Sequence, residues 1–459
     1  MKVPKSRTRR KGLLIGIAII AFIIAVAINA YKMARRAPLR RPADVQLVIT
    51  GHLQGRFELC GCPGKKAGSL PRRAWVLRQF KSQAKKGTNV LLIDTGDFVS
   101  DRQSVDVTMR AFKSLNYDLI SLAPNDYAHI DEILKYAREL NLTLLARADE
   151  LHGDASKLTQ PTRIIKCGQY TFAFITTGNP PESSNVHALK RKWSEVWADV
   201  KRMRTRADGV FVINYWNLNV LTKLLKESKA TEYVDLVISN NHPNPERPPA
   251  FGSVTMLVGM PFVFVSTSLV PMPKVLLWIA KGTVQEVRTE PVHVLSNGPQ
   301  DGVIKRMVEA YYKERQKRLE REWGIVITKV KKSGYIAPQE CAKCHEFQYR
   351  QWRTTKHARA LLTLRERHRI DPECLRCHSE EYRQIGHVSK ITEGRGVECA
   401  SCHTEFTDPA KARKHGQLPS QRPSTKMVES PQVCVKCHTE EHSPDFLMML
   451  NDYLNKVKH

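Results

Sequence analysis

Four copies of one pattern, Cys-x-x-Cys-His, lie between residue 341 and the end of this chain. They are Cys341-Ala342-Lys343-Cys344-His345, Cys374-Leu375-Arg376-Cys377-His378, Cys399-Ala400-Ser401-Cys402-His403 and Cys434-Val435-Lys436-Cys437-His438, and they use eight of the eleven cysteines. At this Cys and His content chance supplies about 0.01 such matches, so the repetition reflects chemistry. Two thiols three positions apart on a helical turn can each form a thioether to one vinyl group of a porphyrin. The adjacent imidazole then reaches the iron as proximal ligand. Zinc is the competing chemistry for paired cysteines, but a tetrahedral thiolate site needs no His after every pair. A disulfide staple gains nothing from that His either. The expected cofactors are therefore four covalently bound c-type haems, with His345, His378, His403 and His438 on the irons.

Ten of the sixteen histidines fall in this same stretch. Beyond the four proximal candidates, His357, His368, His387, His415, His442 and His459 remain for the opposite faces of the irons. Six candidates for four irons allow closed, six-coordinate centres suited to electron transfer, or one open centre able to bind a small nitrogen compound. From the last cysteine of one unit to the first of the next are only 22 to 32 residues, with few long apolar runs. Such a segment cannot build an ordinary core, and the porphyrins are expected to serve as its interior.

Topology follows from the same chemistry, because c-type haem is attached on the exported side of a membrane. Gly12 to Ala30 is an apolar run of nineteen residues broken only by Asn29. As a helix it would extend about 28 Å, near the thickness of a bilayer's hydrocarbon. Its length favours an uncleaved anchor over a signal peptide cut after Ala25-Val26-Ala27. Basic residues flank both sides, so charge alone does not orient it. The reading places residues 1–11 inside and 12–31 across the membrane. The bulk of the chain would then face the periplasm or an equivalent exported compartment.

The formal charge is +28, of which +11 lies in residues 1–43, +13 in 44–335 and only +4 from Ile336 onward. A basic excess near the membrane suits anionic lipid or an acidic redox protein partner. The anchor and the exported haems point away from nucleic acid, and oligomerisation is left open.

Residues 44–295 alternate short apolar runs with helical stretches. Strands are expected at Val45–Thr50, Val90–Ile93, Phe172–Ile175, Gly209–Ile213, Tyr233–Ile238 and Phe262–Ser266, and a basic helix from Leu70 to Phe80 and beyond. Arg72 and Arg73 read as its solvated face. The fold class is α/β, an αββα layered domain, followed by a mainly α, haem-packed domain at 336–459. Between them, in 296–335, Asp301–Trp323 reads as an amphipathic helix whose second half is a solvent-exposed connector. Cys60, Cys62 and Cys167 permit one disulfide and one thiol, and Lys65 and Lys66 would lower thiol pKa at the first two.

Two resemblances extend these readings. The stretch Tyr335 to Phe446 resembles the tetrahaem cytochrome c family of the nitrifier type, whose best-known member accepts electrons from hydroxylamine oxidoreductase. The likeness is carried by the first unit with Trp352, Thr355 and His357-Ala358, by Gly396-Val397-Glu398 leading into the third unit, and by the fourth unit with His442-Ser443-Pro444-Asp445-Phe446. It implies that His357 and His415 are distal ligands, and that one iron of four can stay five-coordinate.

The order of motifs in 44–295 resembles the metallophosphoesterase domain of 5′-nucleotidases. Asp94-Thr95-Gly96-Asp97-Phe98 matches that family's Gly-Asp motif, Pro124-Asn125-Asp126-Tyr127 stands where Gly-Asn-His-Glu is expected, and Asn241-His242-Pro243-Asn244 replaces Gly-His-x-His. His52 and Gln54 occupy the first Asp-x-His. The resemblance implies a two-metal centre, of which Asp97, Asn125 and His242 are the ligands left, so an inactive scaffold is expected. The favoured function is electron transfer by a membrane-anchored tetrahaem cytochrome. The alternatives are a haem enzyme acting on nitric oxide, hydroxylamine or nitrite, and a haem-linked phosphoesterase.

Overall fold

The computed structural model describes residues 41–58, 69–147, 155–181, 186–240, 254–265, 271–295, 297–329, 336–367, 370–388, 395–404, 431–439, 443 and 445–458. The apolar run Gly12–Ala30 lies outside these residues; among them no helix is long and apolar enough to cross a membrane. Val45–His459 forms one compact unit.

Apolar alternation and continuous apolar runs build two sheets. The first has seven strands in the order β13-β12-β1-β2-β3-β4-β5. Its members are β1 (Val45–Thr50), β2 (Val90–Asp94), β3 (Leu119–Ser121), β4 (Leu144–Leu145), β5 (Thr159–Gln160), β12 (Met272–Ala280) and β13 (Thr283–Val292). The second has six, β6 (Thr162–Cys167), β7 (Tyr170–Thr176), β8 (Gly209–Asn214), β9 (Leu236–Ser239), β10 (Val254–Leu257) and β11 (Met260–Phe264), in the order β10-β11-β9-β8-β7-β6. Strands β1 to β5 run parallel, as do β7, β8, β9 and β11, and antiparallel β12, β6 and β10 border these runs.

The inner faces meet through Leu47, Ile49, Leu91, Ile93, Phe172, Phe174, Phe211, Ile213 and Val275. Helices Leu70–Lys85, Arg102–Leu115 and Ile130–Glu139 cover the first sheet from outside, with Leu77, Val105, Met109 and Phe112 pointing in. Helices Val186–Arg204 and Leu218–Glu227 cover the second, through Val196, Val200, Leu221 and Leu225. The result is the αββα layering expected, because parallel strands buried on both faces need helices as their crossovers.

Three details differ from the sequence reading. The β9 strand starts at Leu236, since Ala230–Glu232 closes a short 3-10 turn just before it. Arg73 is not a solvated residue: it is 4% exposed, beside Asp94 and Tyr117. The connector helix runs Gly302–Lys329, and its apolar face extends past the expected midpoint, with Gln316 and Leu319 still buried. Asp301 caps this helix, accepting from Val303 N at 3.1 Å and Ile304 N at 2.9 Å, and also pairs with Arg78. Tyr311 of the same helix donates to Asp101 at 3.1 Å, the carboxylate that caps helix Arg102–Leu115.

From Pro338 onward the described residues form short helices, Pro338–Ala342, Glu346–Arg353, Ala360–Glu366, Pro372–His378, Glu380–Ile385, Cys399–Cys402, Pro431–Cys434 and Leu450–Val457. Their shared apolar cluster among the described residues is Leu361, Leu364, Ile370, Leu375 and Val388, joined by Cys374 and Tyr382.

The fully buried Phe57 ties the loop after β1 to the connector helix, edge-on to Tyr311 at 4.9 Å and to Tyr312 at 6.4 Å. Phe57→Ala should cost about 3–5 kcal/mol of folding stability by opening a cavity there. Urea titration of the purified protein checks it; a loss below about 1 kcal/mol would show that the helix packs independently of this ring.

Candidate functional site

Each of the four Cys-x-x-Cys-His units is wound as one helical turn. The amide of His345 donates to the Cys341 carbonyl at 2.9 Å, that of His403 to Cys399 at 2.8 Å, and that of His438 to Cys434 at 2.9 Å. The second unit closes helix Pro372–His378, whose cap Asp371 accepts from Cys374 N at 3.1 Å. Both thiols and the imidazole of a unit therefore share one turn, the arrangement two thioethers and an axial nitrogen require. The donor chemistry and geometry fit c-type haem at all four positions.

The units lie close together: the Cys437 thiol of the fourth donates to the Cys377 carbonyl oxygen of the second at 4.0 Å, and helix Cys399–Cys402 packs beside helices Pro338–Ala342 and Pro431–Cys434. Between units sits the segment around His357. The Trp352 indole donates to Val397 O at 2.9 Å, and Val397 N donates to His357 O at 3.1 Å. Gly396 permits this approach, since a Cβ there would stand 2.5 Å from the His357 carbonyl oxygen. His357 lies edge-on to His438 with ring centroids 6.2 Å apart. Burial, then the neighbouring His438 and His378, hold the His357 pKa below its ordinary value, so its ring is neutral and has a lone pair to offer. His387 is buried, with Nδ1 3.0 Å from Ile385 O. His368, His415, His442 and His459 lie outside the described residues.

Beneath the second and third units is a buried charge cluster that the spacing of the sequence did not announce. Arg395 reaches Glu381 at 2.6 Å and Glu398 at 3.3 Å, while Arg383 pairs with Glu380 and donates to Ser401 Oγ at 2.6 Å. Ser401 in turn donates to Glu380 at 2.6 Å. Buried charges persist only when partnered this closely. The cluster thereby fixes the helix Glu380–Ile385 against the third unit.

The second group of candidates sits where the parallel strands of the layered body end, the edge at which open α/β sheets carry their sites. Asp97 and Asn125 meet there, Asn125 Nδ2 donating to Asp97 Oδ1 at 2.9 Å. The other carboxylate oxygen receives Gln54 Nε2 at 2.7 Å and lies 2.7 Å from His52 Nδ1. Thus the residues standing in the place of an Asp-x-His both turn onto Asp97. His242 lies outside the described residues, as do Cys60 and Cys62. Cys167 is a buried thiol at the opposite ends of the strands, pushed up to about 11 by burial.

Burial pushes the Asp97 carboxyl upward, but the hydrogen bonds from His52, Asn125 and Gln54 outweigh it and hold the pKa below its ordinary value. His52, Gln54 and Asp97 all have left-handed backbones, with φ of 51°, 48° and 59°. Amide–carbonyl pairs hold the two loops together, His52 N to Gly96 O at 2.9 Å and Gln54 N to Asp97 O at 3.0 Å. Gly96, at φ 85°, packs so closely that a Cβ would meet Ala123 N at 2.4 Å. Asp126, beside Asn125, accepts from the amides of Asp97 at 2.7 Å, Phe98 at 3.0 Å and Ala123 at 2.9 Å. It is a loop fastener, not a ligand. Burial pushes it up to about 7, and pushes Asp94 up to about 6 although Thr50 donates to it at 2.6 Å.

Residues 340–404 match the family described as cytochrome c554 and c-prime, which spans the first three units. Over these residues the chain is similar to c-type cytochromes, which supports covalent haem there. No curated protein matches the chain. Among solved structures, the chain is similar to the sulfate thiohydrolase SoxB of Thermus thermophilus, with 16% identity, 61% of this chain and 62% of that chain covered, and a TM-score of 0.46. It is also similar to the calcineurin-like phosphoesterase YfkN of Bacillus subtilis, with 13% identity, 60% and 98% covered, and a TM-score of 0.42. A third is the 5′-nucleotidase of Candida albicans, with 10% identity, 61% and 59% covered, and a TM-score of 0.43.

The raised carboxyl groups give a pH dependence with a definite sign. An unfolded aspartate titrates near 3.9, so the folded state holds protons on Asp94 and Asp126 that the unfolded chain has released. Their stabilising contribution is complete below about pH 4 and is lost as pH rises through about 6 to 7. Relative to wild type, Asp94→Asn should therefore become more favourable between pH 4 and 7, by on the order of 2–3 kcal/mol. Urea unfolding of both proteins across that range checks it; a constant difference would sink the assignment.

Proposed function

We propose that this chain is a membrane-anchored tetrahaem cytochrome that transfers electrons on the exported side of the membrane, with a layered domain that no longer hydrolyses phosphate esters. The observation that carries the reading is the fourfold repetition of a helical turn presenting two thiols and one imidazole. The family match over 340–404 supports it for the first three units, and the equal local geometry of Cys434–His438 extends it to the fourth.

Bound haem supplies reversible one-electron chemistry at its iron. The chain's own residues do the rest. The eight thiols would hold the groups covalently, so that they could not dissociate as they change charge. His345, His378, His403 and His438 would each offer an imidazole nitrogen to the iron of their own unit. We assign His357 to the iron of the fourth unit, because its 6.2 Å separation from His438 leaves room for one metal ion between two imidazoles at bonds of about 2 Å. Gly396 and Trp352 hold His357 in place through the contacts described above. With both imidazoles on one iron, no open position would remain there for a substrate, which suits electron transfer.

For the layered body, the Asp97 carboxylate is what supports loss of hydrolysis. A two-metal mechanism needs that carboxylate as a ligand. Here it is engaged by His52, Gln54 and Asn125, all within 2.9 Å. The basic character of residues 44–335 then suits an anionic membrane surface or an acidic redox partner.

Two measurements test the reading. A pyridine haemochrome assay should give four haems per chain, falling to three when Cys434 and Cys437 are both replaced by Ala; three in the native protein would refute the fourth attachment. The variant His357→Ala should turn one low-spin ferric signal high-spin in electron paramagnetic resonance, and unchanged spectra would refute the His357–His438 pairing. Activity on phosphate esters with added Mn²⁺, lost in Asp97→Ala, would restore the phosphoesterase reading.

A further inference from the structure

The imidazole of His438 is more tightly framed than a ligand merely following its cysteines needs to be. Its Nδ1 lies 3.0 Å from the hydroxyl oxygen of Ser443. The ring of Phe446 stacks on it with centroids 4.5 Å apart and planes 18° from parallel, and Tyr453 closes the next side at 6.0 Å. This frame is itself built by the backbone: Ser443 N donates to Thr439 O at 2.7 Å and Phe446 N to Ser443 O at 2.9 Å. His378, in contrast, has its Nδ1 2.9 Å from a backbone carbonyl, Ala360 O.

We propose that Ser443 is a positioning residue that sets the reduction potential of the fourth haem, acting through His438. The inference rests on the reading of Cys434–His438 as an attachment unit. When Nε2 is the metal-bound nitrogen, Nδ1 keeps its proton and donates it to Ser443 Oγ, which fixes the tautomer and the plane of the ring. An acceptor at Nδ1 shifts electron density toward Nε2 and makes the imidazole a stronger donor. A stronger donor favours the ferric over the ferrous ion and lowers the potential. A neutral hydroxyl is a weaker acceptor than a carboxylate, so Ser443 leaves this iron easier to reduce than a carboxylate in its place would. Phe446 holds the ring against rotation, so the hydrogen bond keeps its direction.

The serine is well suited to a test because it can be weakened, strengthened or conserved at nearly constant volume. Potentiometric titration of the full-length, detergent-solubilised holoprotein, followed at the α-band and by electron paramagnetic resonance, resolves the four haems. Ser443→Ala is expected to raise one of the four midpoint potentials, by up to about tenfold in the reduction equilibrium, or ~59 mV for one electron. Ser443→Asp should lower the same potential, and Ser443→Thr should leave it near the native value. The other three haems should not move. A native protein with three haems per chain would remove the premise and leave no fourth haem for Ser443 to tune. With four haems present, unmoved potentials in both Ser443→Ala and Ser443→Asp would overturn the proposal. So would a common shift of all four, which would mark Ser443 as a structural residue only.

Discussion

Burial of apolar surface is divided unequally along this chain, and the rest of its architecture follows from that inequality. The layered body interlocks two sheets through a continuous interior of Leu, Ile, Val and Phe, with a further apolar layer under the helices on each side. The segment from Pro338 onward has, among the described residues, a shared apolar cluster of five buried side chains. What the short helices of that segment also share is a repeated turn that presents thiols and an imidazole. Their order has to come from a group held by those turns, and a large flat macrocycle attached at two points supplies apolar area that the polypeptide lacks. Exposed Phe347, Leu447 and Met448 accord with this, since a chain with so little core can hardly spare such residues for solvent.

The edge of the layered body is held by strained backbone and by side-chain donors that converge on one carboxylate. Three non-glycine residues with left-handed backbones at one place are costly, about 1–3 kcal/mol each. The loop pairing, and Asp126 with its three amide donors, hold that conformation. What occupies the Asp97 carboxylate is a set of side-chain donors, of which Gln54 and Asn125 are permanently neutral. These donors stabilise the negative charge as a cation would, without leaving an open coordination position. The same loop after β1 that carries His52 and Gln54 continues into Arg56 and Phe57.

Much of this was legible in the sequence, for reasons that differ by element. The attachment units were, because thioether chemistry dictates residue type and spacing together. Strands β1, β2 and β8 were, because strands buried on both faces read as unbroken apolar runs. Strand β13, Thr283–Val292, was not: it is an edge strand without a fully buried residue, and its Val284, Val287 and Val292 do not alternate regularly enough to mark it. The two-residue strands β4 and β5 are too short for any periodicity to show. Arg73 was misread for a physical reason: a lone Arg on a basic helix normally faces water, and its neighbour Asp94 stands on a different element. His52 and Gln54 were visible as departures from a motif, but not as donors to Asp97, because that needs the φ values that turn the loop back on itself. The clamp on His438 was equally hidden, since Ser443 and Phe446 are close to it only through a fold of the backbone.

The two halves of the chain are joined by more than a covalent connector, and the join has a direction. Phe57 packs on Tyr311 and Tyr312 of the connector helix, and Tyr311 is tied to the cap of helix Arg102–Leu115. One residue before Phe57, Arg56 reaches Glu373 at 3.4 Å, next to Cys374 of the second attachment unit. One turn beyond Tyr311, Arg315 lies in the field of both Asp101 and Asp371, and Asp371 is the residue that caps that unit's helix. The exposed Arg56–Glu373 pair is worth little by itself. Together with the aromatic packing and the shared arginine it orients the second unit toward the edge of the layered body. The sheet edge thereby serves as a mount: its loops, locked by Asp97 and Asp126, give the helical segment a fixed surface to pack beside.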